Sequence, residues 1–199
     1  AGGEAGDARA LELYGLALEA LEDDGGADSS GAGTFLVASQ EIFASVTKIL
    51  IRGGKYEDAA RNELRYATFV DGLRGCESGR ALARAYLHAV VLNLAGGAGA
   101  EAVAVLRDCC AVEAFTNSKA AGLAHDLIDT IAAGDRGAFD DLVKTSGILL
   151  EVDNAVARLL KKLTQAKFDQ VAESIGNRAG AFGSQGGSFA DNEDEDDLT

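Results

Sequence analysis

The sequence predicts an all-α protein, an array of antiparallel helical hairpins that passes into a C-terminal helical bundle and ends in a disordered acidic tail. Three observations lead there. A pattern of small and large residues at spacings of four and three recurs, as Ala10, Tyr14 and Ala17, as Ala60, Leu64 and Ala67, and as Ala102, Leu106 and Cys109, with a weaker copy at Ala138, Leu142 and Thr145. Each trio shares one helical face, with small side chains where a neighbouring helix approaches closely. Gly-rich stretches separate the copies, and no alternating β-branched run announces a strand.

Taken in order, the pattern predicts helices over about 8–23, 34–52, 55–73, 78–95, 99–112, 118–133, 135–146 and 152–176, with ends good to a few residues. The break "DDGGADSSGAG" follows the first helix, because Asp, Ser and Gly favour caps and turns over helix interiors. "LAGGAGA" is a tighter turn between paired helices. From Gly176 onward "GNRAGAFGSQGGSFA" reads as a Gly-rich linker into the tail. Three parts result: a repeat region over 1–113, a helical bundle over 114–176, and linker plus tail over 177–199. Within the first part, "GGKYEDA" resembles the tetratricopeptide turn, in which Gly ends one helix and Tyr packs between that helix and the next. Phe43, Val46, Thr47 and Leu50 fall at the spacing of that repeat's first helix, so the array is read as a tetratricopeptide-like right-handed solenoid with a degenerate period.

Composition narrows the function. The net charge is −14, and six of the acids lie within residues 191–197, so the chain lacks the basic surface that nucleic acid demands. The tail cannot bury enough apolar surface to fold alone. No run approaches the roughly 20 apolar residues that span a bilayer, and no secretory signal opens the chain. The three cysteines, Cys76, Cys109 and Cys110, are odd in number and two are adjacent, which favours reduced thiols in a cytosolic protein. Methionine is absent and the chain opens inside what reads as a helical repeat, so the expectation is a fragment or processed piece lacking its N-terminal portion.

The residues over about 8–163 resemble a family, the soluble attachment proteins (SNAPs) of vesicle trafficking, and most closely the gamma type. "GGKYEDAA" is similar to the family's Arg-Tyr-Glu-Glu-Ala-Ala stretch, and Glu41, Lys48 and Arg52 fall where the gamma type has an acid and basic residues. The most specific segment is 114–163, where an aromatic-Ser element, paired helices, an Asp-containing turn and Leu-x-x-Asp-Asn precede a final helix. The terminus, acids and then the penultimate Leu198, fits as well.

The resemblance implies an adaptor, not an enzyme, with no cofactor. Its partners would be the SNARE four-helix bundle, syntaxin included, and the hexameric N-ethylmaleimide-sensitive fusion ATPase, with peripheral association to a membrane from the cytoplasm. By the same resemblance Glu195, Asp196, Asp197 and Leu198 would engage the ATPase, together with Asp129, Asp135, Asp140 and Asp141 in the segment where the family carries acids. Ala132 and Ala133 stand where the alpha type has further acids. Lys48 and Arg52, four apart on one helix, would meet acidic SNARE helices. A tetratricopeptide-like scaffold for another helical or peptide partner is the alternative.

Other motifs read as structural. His88 and His125 lie in helical surroundings without a second ligand at metal spacing. The adjacent cysteines lack zinc-site spacing, "GGAGAE" lacks the Lys-Ser/Thr of a phosphate loop, and "DNEDEDD" lacks the Gly of a calcium loop. A thiol hydrolase built on Cys109 or Cys110 with His125 is a third reading. It requires thiol and imidazole within hydrogen-bond reach, an orienting group and an oxyanion site, none of which the sequence displays.

Overall fold

The computed structural model describes residues 2–23, 32–73 and 78–183, with side chains over 6–20, 36–73 and 78–177. Most of these residues are helical, and no strand occurs among them. The elements are α1 (Gly2–Asp23), α2 (Ala32–Arg52), α3 (Tyr56–Gly72), α4 (Gly79–Gly96), α5 (Gly99–Cys109), α6 (Glu113–Thr116), α7 (Lys119–Ala132), α8 (Arg136–Thr145), a 3-10 turn (Gly147–Leu150), α9 (Asn154–Lys161) and α10 (Gln165–Gly183).

One turn is used three times. Gly54, Gly97 and Gly134 have φ of +71°, +91° and +69°, a left-handed conformation that costs a glycine little. Each follows the end of a helix and is capped in the same way. The amide one residue on donates to the carbonyl five residues back: Lys55 to Leu50 at 2.9 Å, Ala98 to Asn93 at 2.9 Å and Asp135 to Thr130 at 3.0 Å. The glycine amides donate to Ile51, Leu94 and Ile131. Two residues after each glycine the next helix starts, so α2 pairs with α3, α4 with α5, and α7 with α8.

Aligned on these glycines, Ala59, Ala102 and Phe139 are equivalent and all fully buried. Ala60, Ala67, Ala102, Leu106 and Cys109 face the core as their spacing predicts. The fourth copy does not, since Ala138 and Thr145 are exposed while Phe139 and Val143 are buried. The large residues set the inward face of α8, one position on from the pattern in small residues.

Helix α4 is the centre of the packing. Ala83, Leu87, Val90, Val91 and Leu94 face one apolar cluster, shared with α5, α7, α9 and α10. Leu82, Ala85, Ala89 and Leu92 face another, shared with α1, α2 and α3. Both sets repeat at helical spacing on different sides of one helix, and a helix apolar nearly all round is a buried one. Phe115 is fully buried in the first cluster and meets the Tyr86 ring edge-on at 5.5 Å, so residues on both sides of position 113 share that core.

The helix expected over 152–176 is two helices, broken at Lys162–Thr164. Asp153 caps the first, its carboxylate accepting from the Ala155 amide at 2.8 Å. The second, α10, runs past Gly176 to Gly183, where the sequence predicts linker. A helix-interior glycine costs only about 1 kcal/mol, and Phe168, Val171 and Ile175 anchor the preceding turns in the core. Helix α10 closes onto α5 at Gly99, and Ser174 Oγ accepts from the Ala100 amide at 3.0 Å.

A Cβ at position 99 would lie 2.5 Å from the Val171 carbonyl oxygen and 2.8 Å from Ile175 Cγ1. Gly99→Ala should therefore destabilise the protein by about 1–3 kcal/mol, as overpacking does, although alanine is the better helix former. Urea denaturation measures it, and Gly122→Ala, with no atom within 4 Å of its added Cβ, is the control.

Candidate functional site

The basic residues assigned to SNARE binding sit at the end of α2. Both are exposed, with side-chain accessibilities of 55% for Lys48 and 65% for Arg52, and both are already paired within the chain. Lys48 Nζ lies 3.2 Å from Asp153, the cap of α9. Arg52 reaches Asp7 of α1 at 2.8 Å. Exposed pairs of this kind contribute at most about 1 kcal/mol each, so a partner's carboxylates can replace the internal ones at small cost.

Behind Lys48 lies a buried polar chain. Asn62 donates through Nδ2 to the Phe43 carbonyl at 3.0 Å and to Thr47 Oγ1 at 2.9 Å. Thr47 in turn donates to Glu63 Oε1 at 2.6 Å. Glu63 Oε2 lies 3.1 Å from His88 Nδ1, and the Asp153 amide donates to His88 Nε2 at 3.3 Å. Because Nε2 accepts, the imidazole carries its proton on Nδ1 and donates it to Glu63. Four elements, α2, α3, α4 and the α9 cap, are thereby joined. Buried groups of this kind must be satisfied, and each of these is. An open cavity of about 120 Å³ adjoins the chain, lined by Gln40, Thr47, Glu63, Arg84, His88 and Asp153 among others. From the sequence His88 reads only as a packed or exposed histidine without a second ligand at metal spacing. Its partners, 25 residues before and 65 after, carry no local signal.

The acids assigned to the ATPase lie on α7 and α8. Asp129 is exposed near the end of α7. Asp135 caps α8, accepting from the Ala138 amide at 2.8 Å. Asp140 accepts from Arg136 Nε at 3.0 Å, and that guanidinium stacks 5.5 Å and 5.4 Å from the centroids of Phe139 and Phe168. Asp141 pairs with Lys144 at 3.6 Å. Three of the four thus have local structural work, and the side chains of Asp135 and Asp141 remain open to solvent. Glu195, Asp196, Asp197 and Leu198 lie outside the described residues, as does Cys76.

The thiol and imidazole of the third reading do meet. Cys110 Sγ is 3.5 Å from His125 Nε2, across the seam between α5 and α7. Cys109 points the other way into the core, and burial, reinforced by Cys110 and Asp108, pushes its thiol from 9.0 up to about 12. Burial also raises the Tyr86 phenol, with Cys109 and Asp71 adding to the shift. No carboxylate bonds to His125 among the described residues, and no group of three or more His, Cys, Asp or Glu there is placed to hold a metal. No described helix is long and apolar enough to cross a membrane.

A second, larger groove of about 630 Å³ opens between the first turns of α4 and α7, rimmed by Arg80, Arg84 and Lys119 over a floor of Ala83, Leu87 and Val152. Glu151 also lines it and pairs with Arg80 at 2.8 Å. Comparison with protein-family models, curated proteins and solved structures finds no match for this chain.

The Cys109 shift has a sign for stability. Between pH 9.0 and about 12 the unfolded chain releases this proton while the folded one keeps it, so stability falls as pH rises. Tyr86, also raised, acts in the same direction. Urea midpoints taken from pH 8 to 11 should decline in the native chain and decline less steeply in Cys109→Ala, whatever that variant's baseline stability. Equal slopes would contradict a buried, protonated thiol.

Proposed function

We propose that this chain is an adaptor of the soluble attachment protein type. In this reading its helical hairpins form a tetratricopeptide-like right-handed solenoid with a C-terminal bundle. The α2 face with Lys48 and Arg52 binds the SNARE four-helix bundle, and the C-terminal acids with Leu198 present that bundle to the hexameric fusion ATPase. The observation that carries the reading is the pairing of one repeated hairpin turn, at Gly54, Gly97 and Gly134, with a segment, residues 191–198, that concentrates six acids before a single leucine. A hairpin array offers an extended surface to elongated partners. The charged end suits a basic groove beside an apolar pocket.

The energetics match a weak, multiplied contact. Carboxylates attract a basic surface only within a screening length of about 8 Å at physiological salt. Leucine burial contributes at most about 1.5–3 kcal/mol, less the cost of ordering the segment around it. Several copies around one ring compensate through effective concentration.

A second reading, a helical scaffold for a different helical or peptide partner, is favoured by the internal pairing of Lys48 with Asp153 and Arg52 with Asp7. Such a scaffold has no use for the terminal acids and leucine. The two readings separate on Leu198→Ala, which should leave helicity and melting temperature unchanged and weaken ATPase stimulation by about tenfold in half-saturating concentration. Stimulation equal to that of the native chain would reject the adaptor reading in favour of the scaffold.

A further inference from the structure

We propose that Cys110 is a thiol-exchange site, assisted by His125, that takes up low-molecular-weight disulfides of the glutathione class. The inference is independent of the adaptor reading and rests on the geometry of the α5–α7 seam. Cys110 follows the last turn of α5, and its Sγ lies 3.5 Å from Nε2 of His125 on α7, with the contact open to solvent. The thiolate is the attacking species in exchange, and an adjacent imidazole that can accept the thiol proton supplies it.

The other charges near the pair do not provide that help. Arg107 and Asp108, just before it, are paired with each other at 3.3 Å. The C-terminal end of α5 carries partial negative charge, which opposes a thiolate. His125 is therefore the group placed to accept the thiol proton during attack. The imidazole has no bonded carboxylate among the described residues to orient it for a hydrolytic cycle. A single exchange step requires no such support.

The step balances. The Cys110 proton passes to His125 Nε2, and Sγ attacks one sulfur of the disulfide. The Sγ–S bond forms as the original S–S bond breaks. The departing thiolate takes the proton from the imidazolium and leaves as a thiol. Cys110 ends as a mixed disulfide and the incoming disulfide is reduced by one thiol equivalent. Cys109, buried in the core with its thiol pushed up to about 12 by that burial, is excluded from the same chemistry although it is the adjacent residue. The seam thus distinguishes two neighbouring thiols by burial and by one imidazole.

The test incubates the folded full chain with oxidised glutathione at pH 7.5 and follows each cysteine peptide by mass spectrometry. Cys110 should gain glutathione, Cys109 should gain none until denaturant is added, and Cys76 is read separately. Circular dichroism establishes that His125→Asn is folded, as expected for an exposed position, and this variant should slow Cys110 modification by about tenfold. A Cys110 rate unchanged in His125→Asn, a rate no faster than that of an unstructured peptide of residues 107–113, or modification confined to Cys76 or Cys109 would each overturn the proposal.

Discussion

The structure depends on one helix being buried on two sides. Helix α4 must present apolar residues to the α1–α3 layer and to the α5–α10 layer at once, which is why twelve of its eighteen residues are buried. A helix so placed has no solvent for the polar groups on its buried faces. His88 is accordingly bonded at both ring nitrogens, to Glu63 and to the Asp153 amide, and Asn93 donates to the Ala89 carbonyl. An incompletely bonded His88 would be costly, because desolvating a polar group without a partner costs about 1–3 kcal/mol. The same bonds specify how the layers sit, since they join α2, α3, α4 and the start of α9 in one register.

Helix type and most boundaries were legible in the sequence because they rest on local spacing and on turn residues, but eight helices were expected where the described residues form ten, α6 and the division of the last helix being the additions. The three left-handed glycines terminate helices for reasons contained within six residues, so "GGKYEDA", "LAGGAGA" and the turn at Gly134 could be read directly. The misreadings arise where tertiary packing decides. Trusting small residues as the repeat marker put the α8 face one position out, since Phe139 fills the core there. The single helix expected over 152–176 is broken because Leu163 turns inward between two anchored helices. Beyond Gly176, packing of the preceding turns outweighs glycine's weak propensity.

The candidate sites were legible as positions and much less as environments. Lys48 and Arg52 do share an exposed helix face, as their spacing requires, yet their pairing with Asp153 and Asp7 spans far separations that no local pattern encodes. Asp135 as a cap could be anticipated from its place before a helix, whereas the stacking of Arg136 on Phe139 and Phe168 could not. The Cys110–His125 contact belongs to the same class. Sequence supplied the two residue types, and the approach of α7 to α5 brought them to 3.5 Å. The resulting picture is a helical body in which many of the described surface charges are paired within the chain, weakly enough to be exchanged for those of a partner.

The central functional claim is that this body and its acidic end join two different partners. A pull-down of assembled SNARE bundle and hexameric fusion ATPase on the immobilised chain, with and without residues 191–199, tests it most directly. The full chain should retain both partners, and the shortened chain should keep the bundle and lose the ATPase. Retention of neither partner by the full chain, or equal ATPase retention by both forms, would contradict the account.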